Sequence, residues 1–375
     1  MHQVEKFQSY FRLATNKPEL EEAYIPIPYS RYIVIFNDGF IQANDYSYFT
    51  DVVEYLKSAD PNINVVQVIN SPNVERIPNA YHVQELSHSN LFFIIRNADL
   101  VVSSEPLCTE VAGIYDKPLV RISGNSPPGA ARPYFFNADV HSTICTEDQP
   151  SYSAIEEDKK INKIPPEGIA RLVLKKLDIK DPTPLYKTLY TGSLYRQYMV
   201  DYIPNFTMSH NISGGQPITA RMDVEDNFDA LREVCSHSNV DTVCLDKEVD
   251  IESLASIKDK VNSIAIEINM DFSIDFIKEV HKLGCKVILY TKDEKNLKEI
   301  RLNFIDWIVN FIESKDKPDL PKSKQLFYKS TRLTLSNNKK FTSLAASRGN
   351  IDNNKIIDSK TFWEESDHFL IYSLD

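Results

Sequence analysis

The sequence predicts an α/β protein of two lobes, each a parallel β-sheet covered by helices, followed by a small C-terminal β-hairpin appendage. Three observations predict this. Short, continuous, β-branched apolar runs alternate with amphipathic helical segments, which specifies parallel strands joined by crossover helices. The chain has 375 residues, enough for two or three domains at roughly 100–200 residues each. A rigid breaker, Asp181-Pro182-Thr183-Pro184, divides the alternation into two series.

Each element follows from its pattern. Residues 1–24 are polar and aromatic with helical spacing, a leading arm or helix. Tyr32–Phe36 is a continuous apolar run ending at Asn37-Asp38-Gly39, the mark of a buried parallel strand. Tyr48–Ser58 places Phe49, Val52, Val53 and Leu56 on one helical face. Asn64–Ile69 is the next strand, Leu91–Ala98 a short helix, and Asp99–Ser103 a third strand. Pro106–Tyr115 is helical, with proline where its missing N–H costs nothing. Leu119–Ser123 is a fourth strand, 146–160 a polar loop, and Gly168–Leu177 a helix opened by Pro165-Pro166-Glu167.

Beyond the breaker the alternation repeats. Strands are predicted at Ile218–Met222, Asp241–Leu245, Ser263–Ile268, Lys286–Tyr290 and Trp307–Phe311. Helices fall at Asn227–Cys235, Ile251–Lys260, Ile274–Leu283 and Glu294–Asn303, with Gly284 capping the third. From Leu326 the pattern changes to period two at Thr331–Ser336, followed by Asn337-Asn338, a hairpin turn. A last strand is expected at Phe369–Tyr372. The expected domains are therefore 1–180, 181–325 and 326–375, the first two Rossmann-like lobes.

Composition narrows the function. Hydrophobic residues at 42% and charged residues at 25% describe an ordinary globular chain. No apolar run reaches the 18 or so residues of a membrane span, and no signal pattern opens the chain. Five cysteines without a C-x-x-C pair indicate neither a zinc knuckle nor a disulfide framework, so a cytoplasmic location is expected. Only 10 glycines are present, and no glycine-rich phosphate loop can be found. The net charge of −11 opposes a protein that coats nucleic acid. It is uneven, however: residues 315–360 carry eleven Lys or Arg against four Asp, a net +7, leaving −18 elsewhere. That segment is a solvated surface or an anion-facing patch.

In open α/β sheets ligands bind beyond the carboxyl ends of the strands. Candidate loops are Asn37–Asn44, Ser103–Cys108, Ser123–Arg132 and Asp223–Asp226. The most informative stretch is Asn97–Gly124. Its strand ends in Ser103 and Ser104, Glu105 follows, and a helix starts at once. The serines can cap that helix, whose free N–H groups and dipole suit a phosphate. Glu105, with Glu110 five positions on, suits the vicinal hydroxyls of a ribose; each is otherwise a carboxylate serving the helix or the surface. Arg121, in a strand, is a diphosphate ligand or a structural ion-pair partner. Arg132, in Pro127–Pro133, is a further candidate.

This block resembles the donor-binding lobe of GT-B glycosyltransferases, and within them the heptosyltransferase-like family 9. The pattern is an A-D-L-V-V strand, D-S-G-x-x-H, an alanine-rich helix and G-K-P-V-V. The resemblance sets Glu105 on the family's aspartate and Glu110 on its histidine, counting back from Lys117-Pro118. Tyr32–Asn37, Tyr48–Leu56 and Ile161–Glu167 resemble other parts of that lobe, so it covers about residues 25–178. Two departures stand out. Glu105-Pro106-Leu107 replaces Asp-Ser-Gly, and the basic residue after the first strand is absent, with Gln42 and Ala43 near its place. The lobes are also in reversed order, so the family's catalytic base transfers to no position.

The resemblance implies a nucleotide-diphosphate sugar as substrate, no cofactor and no obligatory metal. The donor would contact Ser103, Ser104, Glu105, Glu110, Asn37, Arg121 and Arg132. A base for the acceptor hydroxyl is sought in the second lobe. Asp223, at a strand end, is one candidate, otherwise a helix N-cap. His210, in the loop Ser209–Gly215, is another. A cleft between the lobes would admit a saccharide acceptor. The rivals are sugar transfer to a modified DNA base through the 315–360 segment, and a degenerate, non-catalytic transferase kept as a binding module.

Overall fold

The computed structural model describes residues 16–37, 42–69, 74–124, 126–146, 153–156, 159–181, 186–207, 215–313, 315–322, 325–351 and 354–374. His210 lies outside them. The chain divides into two compact units, one of residues 1–188 with 374–375, the other of residues 189–373.

The first unit is a six-stranded parallel sheet. Its strands are β1 (Ile33–Phe36), β2 (Val65–Ile69), β3 (Tyr81–Gln84), β4 (Leu100–Ser103), β5 (Leu119–Ser123) and β6 (His141–Cys145). Their spatial order is β3-β2-β1-β4-β5-β6, the doubly wound order that reverses between β1 and β4. Helices α1 (Phe49–Ala59), α2 (His88–Asn97), α3 (Pro106–Ile114), α4 (Pro128–Ala131) and α5 (Pro166–Lys176) connect or flank the strands. The apolar runs that mark the strands form the core: Val34, Phe36, Val66, Val68 and Val101 pack with Ile94, Ile95, Val111 and Ala112 from α2 and α3.

Gly124, just past β5, allows a close approach. A Cβ there would stand 2.2 Å from the backbone N of Ile161 and 2.5 Å from its Cα.

The second unit carries an eight-stranded sheet of order β13-β12-β11-β10-β9-β8-β15-β16. Its strands are β8 (Met199–Tyr202), β9 (Ile218–Arg221), β10 (Val240–Leu245), β11 (Val261–Glu267), β12 (Lys286–Thr291), β13 (Val309–Phe311), β15 (Arg332–Ser336) and β16 (Lys339–Phe341). All pair in parallel except β16 with β15. Helices α6 (Phe228–His237), α7 (Ile251–Ala255), α8 (Ile274–Lys282) and α9 (Leu297–Asn303) alternate with the strands. Leu231 and Val234 of α6 and Ile277 and Val280 of α8 join Val243, Ile264, Ile266 and Leu289 in one core. Gly284 has φ +85°, the left-handed conformation expected of a residue closing α8.

The tail forms the hairpin that its alternation predicts. Asn337 and Asn338 turn it with φ +48° and +59°, the two positive values of a type I′ turn. Its first strand does more, pairing in parallel with β8 so that Leu333 faces Val200. A further sheet joins β14 (Leu326–Ser330), β17 (Phe369–Leu374) and β7 (Tyr186–Thr191). Two short helices, α10 (Leu344–Gly349) and α11 (Lys360–Glu364), complete the tail, and Tyr328, Phe362, Trp363 and Phe369 form its core.

Candidate functional site

The reversal of strand order puts the carboxyl ends of β1 and β4 side by side, Phe36 opposite Ser103. One strand further, Ser103 is opposite Arg121 on β5, and Arg121 is opposite Thr143 on β6. Opposed residues of parallel strands project to the same face, so these side chains form one row.

The β4–α3 turn is pinned from within. Glu105 N–H donates to Ser103 Oγ at 2.8 Å, and the Ser103 hydroxyl donates to Glu105 O at 3.2 Å. Thr109 Oγ1 donates to the same carbonyl at 2.8 Å. The serines were expected to cap α3, but Glu105 is the N-cap, its carboxylate accepting from Leu107 N–H at 3.4 Å. A serine cap was the wrong choice because the Ser103 hydroxyl is already used to close the turn.

Three buried side-chain atoms at this site, on Ser104 and Arg121, have no hydrogen-bond partner among the described residues. Ser104 is fully buried, and its hydroxyl makes no bond. Arg121 is only 4% exposed, and neither its Nε nor its Nη1 makes one. Burial pushes the Arg121 guanidinium down to about 10, against the opposing pull of Glu105. Burying guanidinium N–H groups without acceptors is costly, and an anion with acceptor oxygens reduces that cost. Guanidinium, free hydroxyl and the N-terminus of a nine-residue helix together can hold a phosphate, with the Glu105 carboxylate beside them.

The other candidates lie as follows. Asn37, buried at the end of β1, accepts from Gln67 Nε2 at 3.0 Å and donates to Glu75 O at 3.4 Å. Glu110 accepts from Tyr134 N–H at 2.8 Å, a bond that ties α3 to the segment after α4. Arg132 is exposed, its guanidinium 5.3 Å from the Phe136 ring centre. Asp223 belongs to the second unit, just past β9, where Arg221 grips both carboxylate oxygens at 2.8 and 2.6 Å. The N-cap of α6 is Asn227 rather than Asp223.

Sequence reading missed Gln67. It is wholly buried in β2 and also accepts from Ile77 N–H at 2.8 Å, so it fastens the 75–77 loop to Asn37. A lone amide within the run Val-Val-Gln-Val-Ile was the available signal. A cavity of about 740 Å³ lies elsewhere, between residues 17–22 and Lys117, which precedes β5. Glu22 binds Arg96 there at 2.8 Å and Asp116 binds Lys17, so two of its cations are already neutralised.

The second unit holds its own buried polar cluster. Asp201, in the middle of β8, is fully buried. Arg332 grips it with Nε and with Nη2, the latter 2.9 Å from Oδ1, and Arg221 Nη1 stands 4.0 Å from it. Glu365 lies 3.9 Å from Arg332 and accepts from Leu344 N–H at 2.9 Å. Burial pushes the Glu365 carboxyl up to about 7, and burial also holds the His368 imidazole down to about 4.

The sequence matches no protein family and no curated protein. Among solved structures it is similar to E. coli heptosyltransferase WaaC with ADP, at 14% identity over 47% of this chain and 57% of that one, TM-score 0.35. It is also similar to the E. coli ADP-heptose lps heptosyltransferase II, at 16% identity over 47% and 52%, TM-score 0.30. A third is the glycosyl transferase family 9 protein from Veillonella parvula, at 12% identity over 70% and 80%, TM-score 0.25. The chain spans about half the length of the first two. Among the described residues, no helix is long and apolar enough to cross a membrane.

Proposed function

We propose that this protein is a glycosyltransferase and that its first unit holds the diphosphate of a nucleotide-sugar donor. One observation carries the reading: Arg121, buried and short of partners, beside the crevice where strand order reverses. Breaking the sugar–phosphate bond leaves negative charge on the diphosphate. A fixed guanidinium in a water-poor site offsets that charge as it develops, and it needs no reorganisation to do so. No obligatory metal is required for that role. Ser104 and the α3 N-terminus add donors, and Glu105 takes the ribose hydroxyls. A saccharide is the proposed acceptor, and Asp223 or His210 would take its hydroxyl proton.

The modified-DNA reading is less favoured. Four cations of the 315–360 segment are paired with acids of their own unit: Arg332 with Asp201, Lys315 with Asp367, Lys317 with Asp358 and Lys360 with Glu364. Their charge is partly neutralised before any DNA arrives.

The test is thermal stability in the presence of UDP-, ADP-, GDP- and CMP-sugars and the free nucleotides. A ligand at 100 times its Kd adds about 2.7 kcal/mol, so one nucleotide class should raise the melting temperature by several degrees. Sugar transfer to saccharides is then assayed with that donor. No shift with any of them overturns the reading; a shift without turnover on any acceptor leaves a binding module.

A further inference from the structure

The second sheet ends at β13, which pairs on one side with β12. No strand covers its other side among the described residues. Arg301 Nε, 3.3 Å from Val309 O, reaches that side, and it is a side chain that an incoming strand can displace. An uncovered strand edge is a template for pairing.

What flanks this edge is unusual. Four aliphatic residues between 302 and 312 are exposed: Leu302 at 68%, Ile305 at 74%, Ile308 at 84% and Ile312 at 43%. Met270, exposed at 41%, adjoins them, its sulfur 3.7 Å from Asn303 Nδ2. Single exposed apolar residues are ordinary, but a group this dense marks an interaction site. At these exposures the four aliphatics amount to several hundred Å² of apolar surface. Two copies together approach the roughly 1,000 Å² that a specific interface needs.

We infer that β13 pairs antiparallel with β13 of a second copy of this chain across a two-fold axis at Asn310. The bond from Ile312 N–H to Thr291 O shows that residues 310 and 312 turn their backbone groups toward β12. Val309 and Phe311 therefore turn theirs outward. In a two-fold pairing about Asn310, Val309 of one copy exchanges both backbone bonds with Phe311 of the other. The same register sets Ile308 against Ile312 on one face and opposes no two like charges from 305 to 315. An isologous contact requires one patch to complement itself, and this one does. The inference stands apart from the proposed activity.

The test is the mass of the intact chain in solution, by sedimentation and light scattering from about 1 to 100 μM. The wild type should be dimeric at the upper end, and Ile308→Asp and Leu302→Lys should be monomeric there. Both positions are so exposed that folding should be unchanged, which circular dichroism checks. Asn310→Cys places a thiol on the axis, where opposed Cα atoms lie about 4.5 Å apart in such a pair, within disulfide reach. It should oxidise to a covalent dimer, whereas Glu313→Cys should not. A monomeric wild type at 100 μM overturns the inference and gives the face to a different partner. A dimer that survives Ile308→Asp, or that crosslinks no better through 310 than through 313, also overturns it.

Discussion

Ser103 and Arg121 occupy opposed places on neighbouring parallel strands, and the two have unlike fates. The serine hydroxyl is consumed in closing the turn that starts α3. The guanidinium beside it is buried with two nitrogens unpartnered. One residue builds the site, and the other waits for what the site receives.

Arg121→Met should therefore separate binding from stability. Losing a charged donor to phosphate costs about 1.5–3 kcal/mol, or roughly 10- to 100-fold in nucleotide affinity. Without ligand, however, the variant removes a buried cation with two unpartnered nitrogens and should be as stable as wild type or more so. Ser104→Ala should weaken binding less than tenfold. Titration calorimetry and ligand-free melting read the two effects separately. A destabilised Arg121→Met with unchanged affinity would make Arg121 structural.

The carboxylate of Asp201 should matter for the second unit alone. Asp201→Asn leaves Arg332 and Arg221 without their shared acid, a loss of about 3–5 kcal/mol for a broken buried pair. Urea unfolding should show a weakened transition for residues 189–373. Nucleotide binding by the first unit should persist.

Stability should bend with pH near neutrality because of Glu365 and His368. The folded state holds Glu365 up to about 7, above the usual carboxylate range. Its contribution is full below about 4.5 and is lost as pH rises through 7. His368 is held down to about 4, so its contribution is full above about 6.5 and is lost as pH falls through 4. The two slopes oppose each other between about 4.5 and 6.5. The pair therefore leaves stability nearly level from about 4.5 to 6.5 and declining from there to about 7, and Glu365→Gln should abolish that decline and turn the level stretch into a rise. A series of denaturant midpoints across pH 4–8 checks this, and an unchanged decline in the variant refutes it.

Gly124→Ala should destabilise the first unit by 1–3 kcal/mol or more, since the added methyl meets the Ile161 backbone rather than a movable side chain. Thermal melting should drop by about 2–4 °C per kcal/mol lost. A neutral substitution would mean that the 159–163 segment can withdraw.

The architecture was legible in the first unit where burial is two-sided, because β1, β2, β4 and β5 are buried throughout and nearly unbroken apolar runs, and in the second unit from the alternation of β10–β13 with helices. β8 was not legible. Its sequence, Met-Val-Asp-Tyr, carries an acid at its centre that makes sense only once Arg332, some 130 residues later, is brought beside it. β6, His-Ser-Thr-Ile-Cys, lacks the pattern for another reason: it is an edge strand and only half-buried beyond His141. At the candidate site the residue types and their order could be read, down to Ser104, Glu105 and Arg121. What could not be read was which hydroxyl is spent in the turn and which is left over, because hydrogen bonds to the backbone decide it.

The pairing of β8 with β15 has a consequence for biosynthesis. The first sheet draws all its strands from residues 33–145, so it can assemble while the rest of the chain is still being made. The second sheet joins Met199–Tyr202 to Arg332–Leu335, and loop closure over that distance is slow. A ribosome must synthesise past residue 335 before β8, already beside β9, finds β15 on its other side. Chains that stop short of residue 332 would leave β8 with a bare edge and an acid stripped of its main cation, a signature that quality-control proteases can read.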